Sequence, residues 1–283
     1  MRTAQTSPCR WNPAGCENLE PAAPEPRQSR GTSRRPIFHQ LFETSCGAFT
    51  YILGDVATRA ALIIDPVLEA ADRDLQVLRE SHLQLTHILE THLHSDHITG
   101  AGRLRASTGA LIAVSAASGI RGADVVLEDS SITRFGEHQL AALATPGHTE
   151  GCMSYYIDGM VFTGDCLLIR GTGRTDLPGG CAEKLYDSVT RRLWTLPPAT
   201  LVFPAHDYHG HSRSTIGDEK RLNPRIGGDR SKQQFARLMS ELRLKAPTKM
   251  GDAIPANLYC GAATHVSCAA AVQGSLSTTN GDS

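Results

Sequence analysis

The stretch ETHLHSDHITG, Glu90 to Gly100, sets His92, His94, Asp96 and His97 within six positions. Imidazole and carboxylate are the ligand types of zinc, iron and manganese. In an extended loop, side chains two apart point the same way. His92 and His94 then share one side, while Asp96 and His97 reach a neighbouring position. Further candidates follow along the chain: His148 in TPGHTEG, Asp165 in FTGDC and His206 in PAHDY. One His-x-His arises by chance on many surfaces; four clusters in this order, each just after a strand-like run, are far more specific. The pattern describes a cleft for one or two metal ions and leaves open whether the metal serves hydrolysis or redox chemistry.

Such clusters need strands that end at a common rim. From Ile37 onward the sequence supplies them. IFHQLFE, AFTYILGD and RAALIIDP are β-rich runs separated by Gly, Asp and Thr, the pattern of an antiparallel meander. EAADRDLQVLRESHL sets Leu75, Leu78 and Leu83 at helical spacing and predicts an amphipathic helix. LTHILET predicts a strand that ends at the histidine cluster, TGAGRLRASTG a helix and ALIAVS another strand. VVLED, SSITRFGE and HQLAALATP add strands, with Gly147 breaking the last. CMSYYID and MVFTGD flank Gly159 as a hairpin. CAEKLYDSVTRRLWTL is a helix with Leu185, Val189 and Leu193 inward, ATLVFPAHDY a strand ending at His206, and SKQQFARLMSELRL the last helix. No short-period repeat is present, although strands followed by helices recur in two similar halves.

The 283 residues suffice for one substantial domain with appendages. Lys and Arg number 28 against 29 Asp and Glu, a formal charge of -1, so no electrostatic attraction to nucleic acid or an anionic membrane is expected. No apolar run approaches the roughly 20 residues of a membrane-spanning helix. None of the eight cysteines forms a C-x-x-C pair, which speaks against a zinc knuckle or a thioredoxin-like site. They read as mostly reduced thiols, Cys166 as a small buried residue and Cys260 as reactive only if exposed.

Residues 1–36 are rich in Pro, Arg, Ser and Ala without apolar periodicity and read as a disordered N-terminal extension lacking a secretory signal. Its arginines suit a mitochondrial presequence, but Glu17, Glu20, Glu25 and several prolines oppose an amphipathic helix. A cytoplasmic location is therefore expected, with the mitochondrial matrix as the alternative if the extension is a presequence. Residues 37–261 read as the folded domain and 262–283 as a loose tail.

H-x-H-x-D-H followed by Gly-His-Thr, Thr-Gly-Asp and Pro-Ala-His resembles the metallo-β-lactamase superfamily over roughly Ile37 to Gly261. That resemblance implies an α/β fold, the αββα sandwich of two mixed β-sheets flanked by helices, with a metal centre. It does not give the reaction, because this fold hosts hydrolases, nucleases and oxidoreductases. LIRGTGRTD, PAHDYHGHSRSTIGDEKRLNPR and IPANLYCG, outside the metal signature, resemble the persulfide dioxygenases. Membership there implies one Fe(2+) per chain on His92, His148 and Asp165, with His94, Asp96, His97 and His206 hydrogen-bonded around the ligands. Two histidines and a carboxylate leave open positions on iron for sulfur and O2. The implied reaction takes glutathione persulfide, O2 and water to glutathione and sulfite, which d¹⁰ zinc cannot support.

The same metal motif also resembles glyoxalase II, which implies two Zn(2+) per chain. His92, His94 and His148 would then hold one ion and Asp96, His97 and His206 the other, with Asp165 bridging, for hydroxide attack on a glutathione thioester. GTGRTD and LNPR favour the iron reading. Arg174, Tyr208, Arg225 and Asn257 fall in the matched segments and are expected along the substrate groove; Arg174 is equally suited to pin its own loop to Asp176. Thr172 stands where relatives often carry cysteine, and His209 and His211 read as loop residues. No fused rhodanese-like module is visible, so a sulfurtransferase partner would be a separate chain. A homo-oligomer is compatible with the sequence, but no patterned apolar surface marks an interface.

Overall fold

A computed structural model describes residues 35–261. The expected extension, save Arg35 and Pro36, the expected tail, and Cys9, Cys16 and Cys268 lie outside the described residues. Strands β1 (Ile37–Glu43), β2 (Ala48–Gly54) and β3 (Ala60–Ile64) form the antiparallel meander expected from these β-rich runs. β4 (Gln84–Leu89), β5 (Leu111–Ser115) and β6 (Val125–Leu127) then add in parallel, completing a six-stranded mixed sheet. Parallel pairing requires a crossover. Helix α1 (Ala71–Glu80) supplies the first and α2 (Ala101–Thr108) the second.

The second sheet runs β7 (Ile132–Phe135), β8 (His138–Ala144), β9 (Met153–Ile157), β10 (Met160–Gly164), β11 (Leu201–Pro204) and β12 (Ser214–Thr215), each beside the next. Only β10 and β11 pair in parallel, and α3 (Ala182–Arg191) joins them. Helices α4 (Ile216–Leu222), α5 (Lys232–Glu241) and α6 (Met250–Asn257) follow.

β2 is buried along its whole length, and its alternation shows why the layers stack. Phe49, Tyr51 and Leu53 face the second sheet and pack with Tyr155, Phe162 and Phe203. Ile52 points the other way, into a cluster with Ile63, Ile88, Leu78 and Leu104 beneath α1 and α2. A third cluster, including Val161, Val202, Leu185, Val189 and Phe235, seats α3 and α5 on the outer face of the second sheet. The result is the expected αββα sandwich. The Tyr51 hydroxyl donates to the Pro204 carbonyl at 2.6 Å, tying the sheets together where an unpaired buried hydroxyl would be costly.

Three expectations change in detail. SKQQFARLMSELRL forms α5, which is not the last helix, because α6 follows it. α4 is also additional. Leu83 lies beyond the end of α1 and is buried by packing rather than by helical register.

One buried acid gives this layer a pH signature. Asp74, in α1, accepts from Arg73 through Oδ1 alone, while its Oδ2 is buried without a partner. Burial pushes the carboxyl up to about 6, the Arg73 guanidinium only partly opposing it. Because the folded value is raised, the unfolded chain loses this proton first, and stability falls as pH rises from the unfolded value towards 6. Asp74→Asn removes the titration. Its unfolding free energy should gain about 2 kcal/mol relative to the parent between pH 4.5 and 8. Urea denaturation of both chains across that range checks it; a pH-independent difference refutes it.

Candidate metal centre and its cavity

The loops leaving β4, β8, β10 and β11 meet at one rim, and a residue outside the sequence pattern organises them. Asp65 follows β3 with a positive φ of 51°, a conformation that Asp tolerates better than most residues. Its carboxylate accepts from the Thr91 amide at 2.7 Å and from the Thr91 hydroxyl at 2.7 Å. The same hydroxyl lies 2.9 Å from His92 Nδ1. With its own proton committed to Asp65, Thr91 accepts from Nδ1–H, which leaves the His92 Nε2 lone pair free. Burial, then the neighbouring His94, hold His92 well below the usual imidazole value, so it is a neutral ligand.

His148 is fixed in the same sense by a different partner. Its Nδ1 donates to the Arg174 carbonyl at 2.8 Å, so Nε2 is again the free nitrogen, 3.6 Å from Asp165 Oδ2. Two glycines shape this contact. Gly147, at φ +139°, turns the chain against α3, and a Cβ on Gly173 would stand 2.3 Å from the Asp165 carbonyl and 3.0 Å from the His148 ring. Asp165 leaves β10 after a register shift. Burial opposes its ionisation, but His206, then His148 and His92, hold it well below the carboxylate range.

One ligand atom each from His92, His148 and Asp165 therefore lies within 4.8 Å of the others. Two neutral imidazole nitrogens and one carboxylate oxygen, converging with lone pairs free, fit a single divalent cation of the iron or zinc type. His206 sits beside them with both ring nitrogens engaged. Nδ1 is 2.7 Å from Asp165 Oδ1 and Nε2 is 2.9 Å from Asp96 Oδ2. Burial would depress its pKa, but those two carboxylates raise it well above the ordinary value, so it donates to both. His94 presents Nε2 to Asp65 at 3.2 Å and to Glu90 at 3.1 Å, while its Nδ1 is buried without a hydrogen-bond partner among the described residues. Those carboxylates outweigh burial and raise its pKa. His97 leans on Asp96 at 3.0 Å.

A cavity of about 500 Å³ opens over His148, Asp165 and His206. Tyr208, Arg174 and Arg225 line it, in different conditions. Tyr208 is exposed at the rim and stacks 5.9 Å from the His206 ring. Arg174 forks onto Asp176 at 2.7 and 2.8 Å and donates to the Leu244 and Lys245 carbonyls, so its guanidinium pins loops together. The Arg225 guanidinium donates to the Thr172 carbonyl and has no carboxylate partner among the described residues.

Asn257 corrects its expected place in the groove. It is buried behind the histidine loop, where its side chain accepts from the Thr99 amide and donates to the His94 and His97 carbonyls. Both its amide protons and its oxygen are engaged there, and its work is to brace that loop. Cys166 is buried, and so is Cys260, whose thiol burial pushes up to about 11. His209 and His211 belong to a turn whose amides donate to Asp207. Sequence reasoning passed over Asp65, Glu90 and Thr91, and also Cys46, which the β1–β2 turn brings to the cavity wall.

Residues 44–206 match the family model described as the metallo-beta-lactamase superfamily. The persulfide dioxygenase ETHE1, mitochondrial, of Homo sapiens is 46% identical over 239 residues, covering 83% of this chain and 93% of that protein. Its Bos taurus counterpart, with the same name, is 45% identical over 240 residues, covering 84% and 93%. Among solved structures, ETHE1 from Myxococcus xanthus superposes with a TM-score of 0.78 at 48% identity, covering 80% of this chain and 99% of that one.

Proposed function

We infer, from the premise that this chain belongs to the metallo-beta-lactamase superfamily and within it to the persulfide dioxygenases, that it is a sulfur dioxygenase. The substrate is glutathione persulfide, oxidised with O2 and water to sulfite and glutathione, and the metal is one Fe(2+) on His92, His148 and Asp165. The observation that carries the mononuclear reading is His206. Its Nδ1 is engaged by Asp165 and its Nε2 by Asp96, so a second ion would have to displace the Asp96 contact. The dinuclear zinc arrangement needs that nitrogen.

A ferrous ion held there supplies electron exchange with O2, which zinc does not. The chain does the rest. Thr91 and the Arg174 carbonyl keep both imidazoles in the tautomer that presents Nε2. The His206 cation steadies Asp165 and holds a proton at Nδ1, beside the reacting centre. The cavity walls hold the tripeptide, and Arg225, without a carboxylate partner among the described residues, is the group for one of its carboxylates. Arg225→Met should raise KM about 10–100-fold with a smaller effect on kcat, the signature of lost substrate binding. Steady-state oxygen uptake measures it, and an unchanged KM removes Arg225 from the groove.

Elemental analysis of the purified chain together with oxygen uptake tests the whole reading. About one iron per chain and uptake dependent on glutathione persulfide are expected. Two firmly held zinc ions with rapid thioester hydrolysis would refute it. No helix among the described residues is long and apolar enough to cross a membrane. The mammalian relatives are named as mitochondrial, which supports the mitochondrial alternative over the cytoplasm expected from sequence. Imaging the full chain fused to a C-terminal fluorophore distinguishes the two.

A further inference from the structure

LIRGTGRTD and LNPR, far apart in the chain, meet as one wall of the cavity, and two buried side chains join them from behind. We propose that these two, Glu219 and Asn223, are positioning residues that hold the Arg225 guanidinium where a substrate carboxylate meets it. Neither lines the cavity. The inference rests on the reading of Arg225 as the partner of a glutathione carboxylate. Glu219, in α4, faces donors on both oxygens. Oε2 accepts from the Arg170 amide at 2.9 Å and the Asn223 side-chain amide at 2.8 Å. Oε1 accepts from the Ser214 hydroxyl at 2.6 Å and from the Arg170 guanidinium. Four donors fill a carboxylate's capacity. Arg170 needs that hold: at a φ of 55° its backbone is left-handed, a strain that persists only where the surroundings fix it.

Asn223 carries the hold from the loop to Arg225. Its Nδ2 also donates to the Gly171 carbonyl at 2.9 Å, and its Oδ1 accepts from the Arg225 amide at 3.0 Å and the Ile226 amide at 3.3 Å. The Arg225 guanidinium closes the circuit on the Thr172 carbonyl. Both the backbone and the side chain of Arg225 are thus tied to one loop, which lowers the ordering cost of binding. An Asn before Pro closes turns at many helix ends, and capping α4 is the ordinary role for Asn223. Capping does not call for the Gly171 contact, which reaches 52 residues along the chain. The metal side of the loop is held separately, by the Gly173 amide on the Asp165 carbonyl at 2.7 Å and by the Arg174 fork on Asp176. Loosening Glu219 or Asn223 should therefore reach the substrate and spare the iron.

A double-variant cycle on the iron-loaded protein tests this, with KM read from oxygen uptake and Kd for S-methylglutathione from calorimetry. Asn223→Ala should raise both about 10-fold, change kcat less than about twofold and leave about one iron per chain. Glu219→Gln keeps the side chain's size but turns one acceptor into a donor, and should raise both about threefold. It carries the cycle if Asn223→Ala does not fold. Added to Arg225→Met, either substitution should have almost no further effect, because the group it positions is gone. A role in folding alone lowers Tm without that dependence on Arg225. Unchanged KM and Kd in these variants, or losses that multiply with that of Arg225→Met, overturn the positioning while Arg225 stays in the groove. If Arg225→Met alone leaves both constants unchanged, Arg225 is not in the groove and the inference falls with it. A parent chain that binds S-methylglutathione but consumes no oxygen with glutathione persulfide overturns the dioxygenase reading instead, and the cycle is then decided on Kd.

Discussion

Asp165→Ala is expected to cost the protein its metal and its turnover together. The Asp165 carboxylate is the only anionic donor among the three that converge with His92 and His148. It also fixes His206 through Oδ1 while Oδ2 faces His148 Nε2. Two neutral imidazoles alone neither balance a divalent charge nor complete one face of iron. Removing an outer hydrogen-bonding partner of a ligand typically costs about 10–100-fold in affinity or activity. Loss of the ligand itself should exceed that, with iron falling from about one per chain to a small fraction.

The fold should survive the change. The Asp165 backbone carbonyl still accepts from Gly173, and the neighbouring packing is carried by Phe162 and Leu167. Circular dichroism that matches the parent, beside lost iron and lost oxygen uptake, is therefore the expected pair of results. Asp165→Asn keeps the shape but not the charge and should fall between. Full iron content and full rate in Asp165→Ala would remove this residue from the centre and the mononuclear reading with it.

How much of this was legible in the sequence depends on how far each signal reaches along the chain. The strands of both sheets, β12 apart, follow from short β-rich runs between turn residues, and the four polar clusters follow from where those strands end. Each is a property of fewer than ten adjacent residues, so no knowledge of the fold is needed. α4 is one short run with Ile216 at its start and Leu222 at its end, too brief for a 3.6-residue period to register. α6 carries Gly251 and Pro255, which argue against a helix, and forms because Ala253 and Asn257 dock against the protein.

The centre's supports were harder to see for the same reason. Asp65 looks like any turn aspartate until β3 and β4 lie side by side and bring Thr91 to it across 26 residues. Cys46 reaches the cavity only when the β1–β2 turn folds over the second sheet, where Ala48 bridges to His206. Asn257 misled in the opposite direction. It lies in a segment resembling a functional family, but its contribution is to hold two carbonyls of the histidine loop from behind. A matched motif reports that a residue matters without saying whether it touches the ligand or the loop that does.

Gly147→Ala should be severely damaging although the residue touches no ligand, and its contrast with Gly159→Ala tests the packing argument. Both glycines have positive φ, +139° and +77°. At Gly159, in the β9–β10 turn, an added Cβ meets nothing within 4 Å, so only the left-handed backbone is penalised, about 1–2 kcal/mol. At Gly147 the conformation lies in a region that only glycine enters readily. The Cβ there would fall 2.3 Å from the Leu185 amide nitrogen and Cα. Those are backbone atoms of α3 that no rotamer change can move. Displacing the helix is resisted by the Cys181 amide on the Gly147 carbonyl at 2.8 Å and by the Ser188 hydroxyl on the Pro146 carbonyl at 2.6 Å.

Strain and clash together should cost about 4 kcal/mol or more, which in a domain of this size lowers Tm by about 10 °C. His148 follows immediately in the chain, so whatever shift relieves the clash carries its Nε2 away from Asp165. Iron affinity should then fall even in the fraction that remains folded. Calorimetry and iron analysis on Gly147→Ala, Gly159→Ala and the parent separate these effects. If the two variants melt together and bind iron alike, the seat of α3 does not set the position of His148, and the route from that glycine to the metal centre fails.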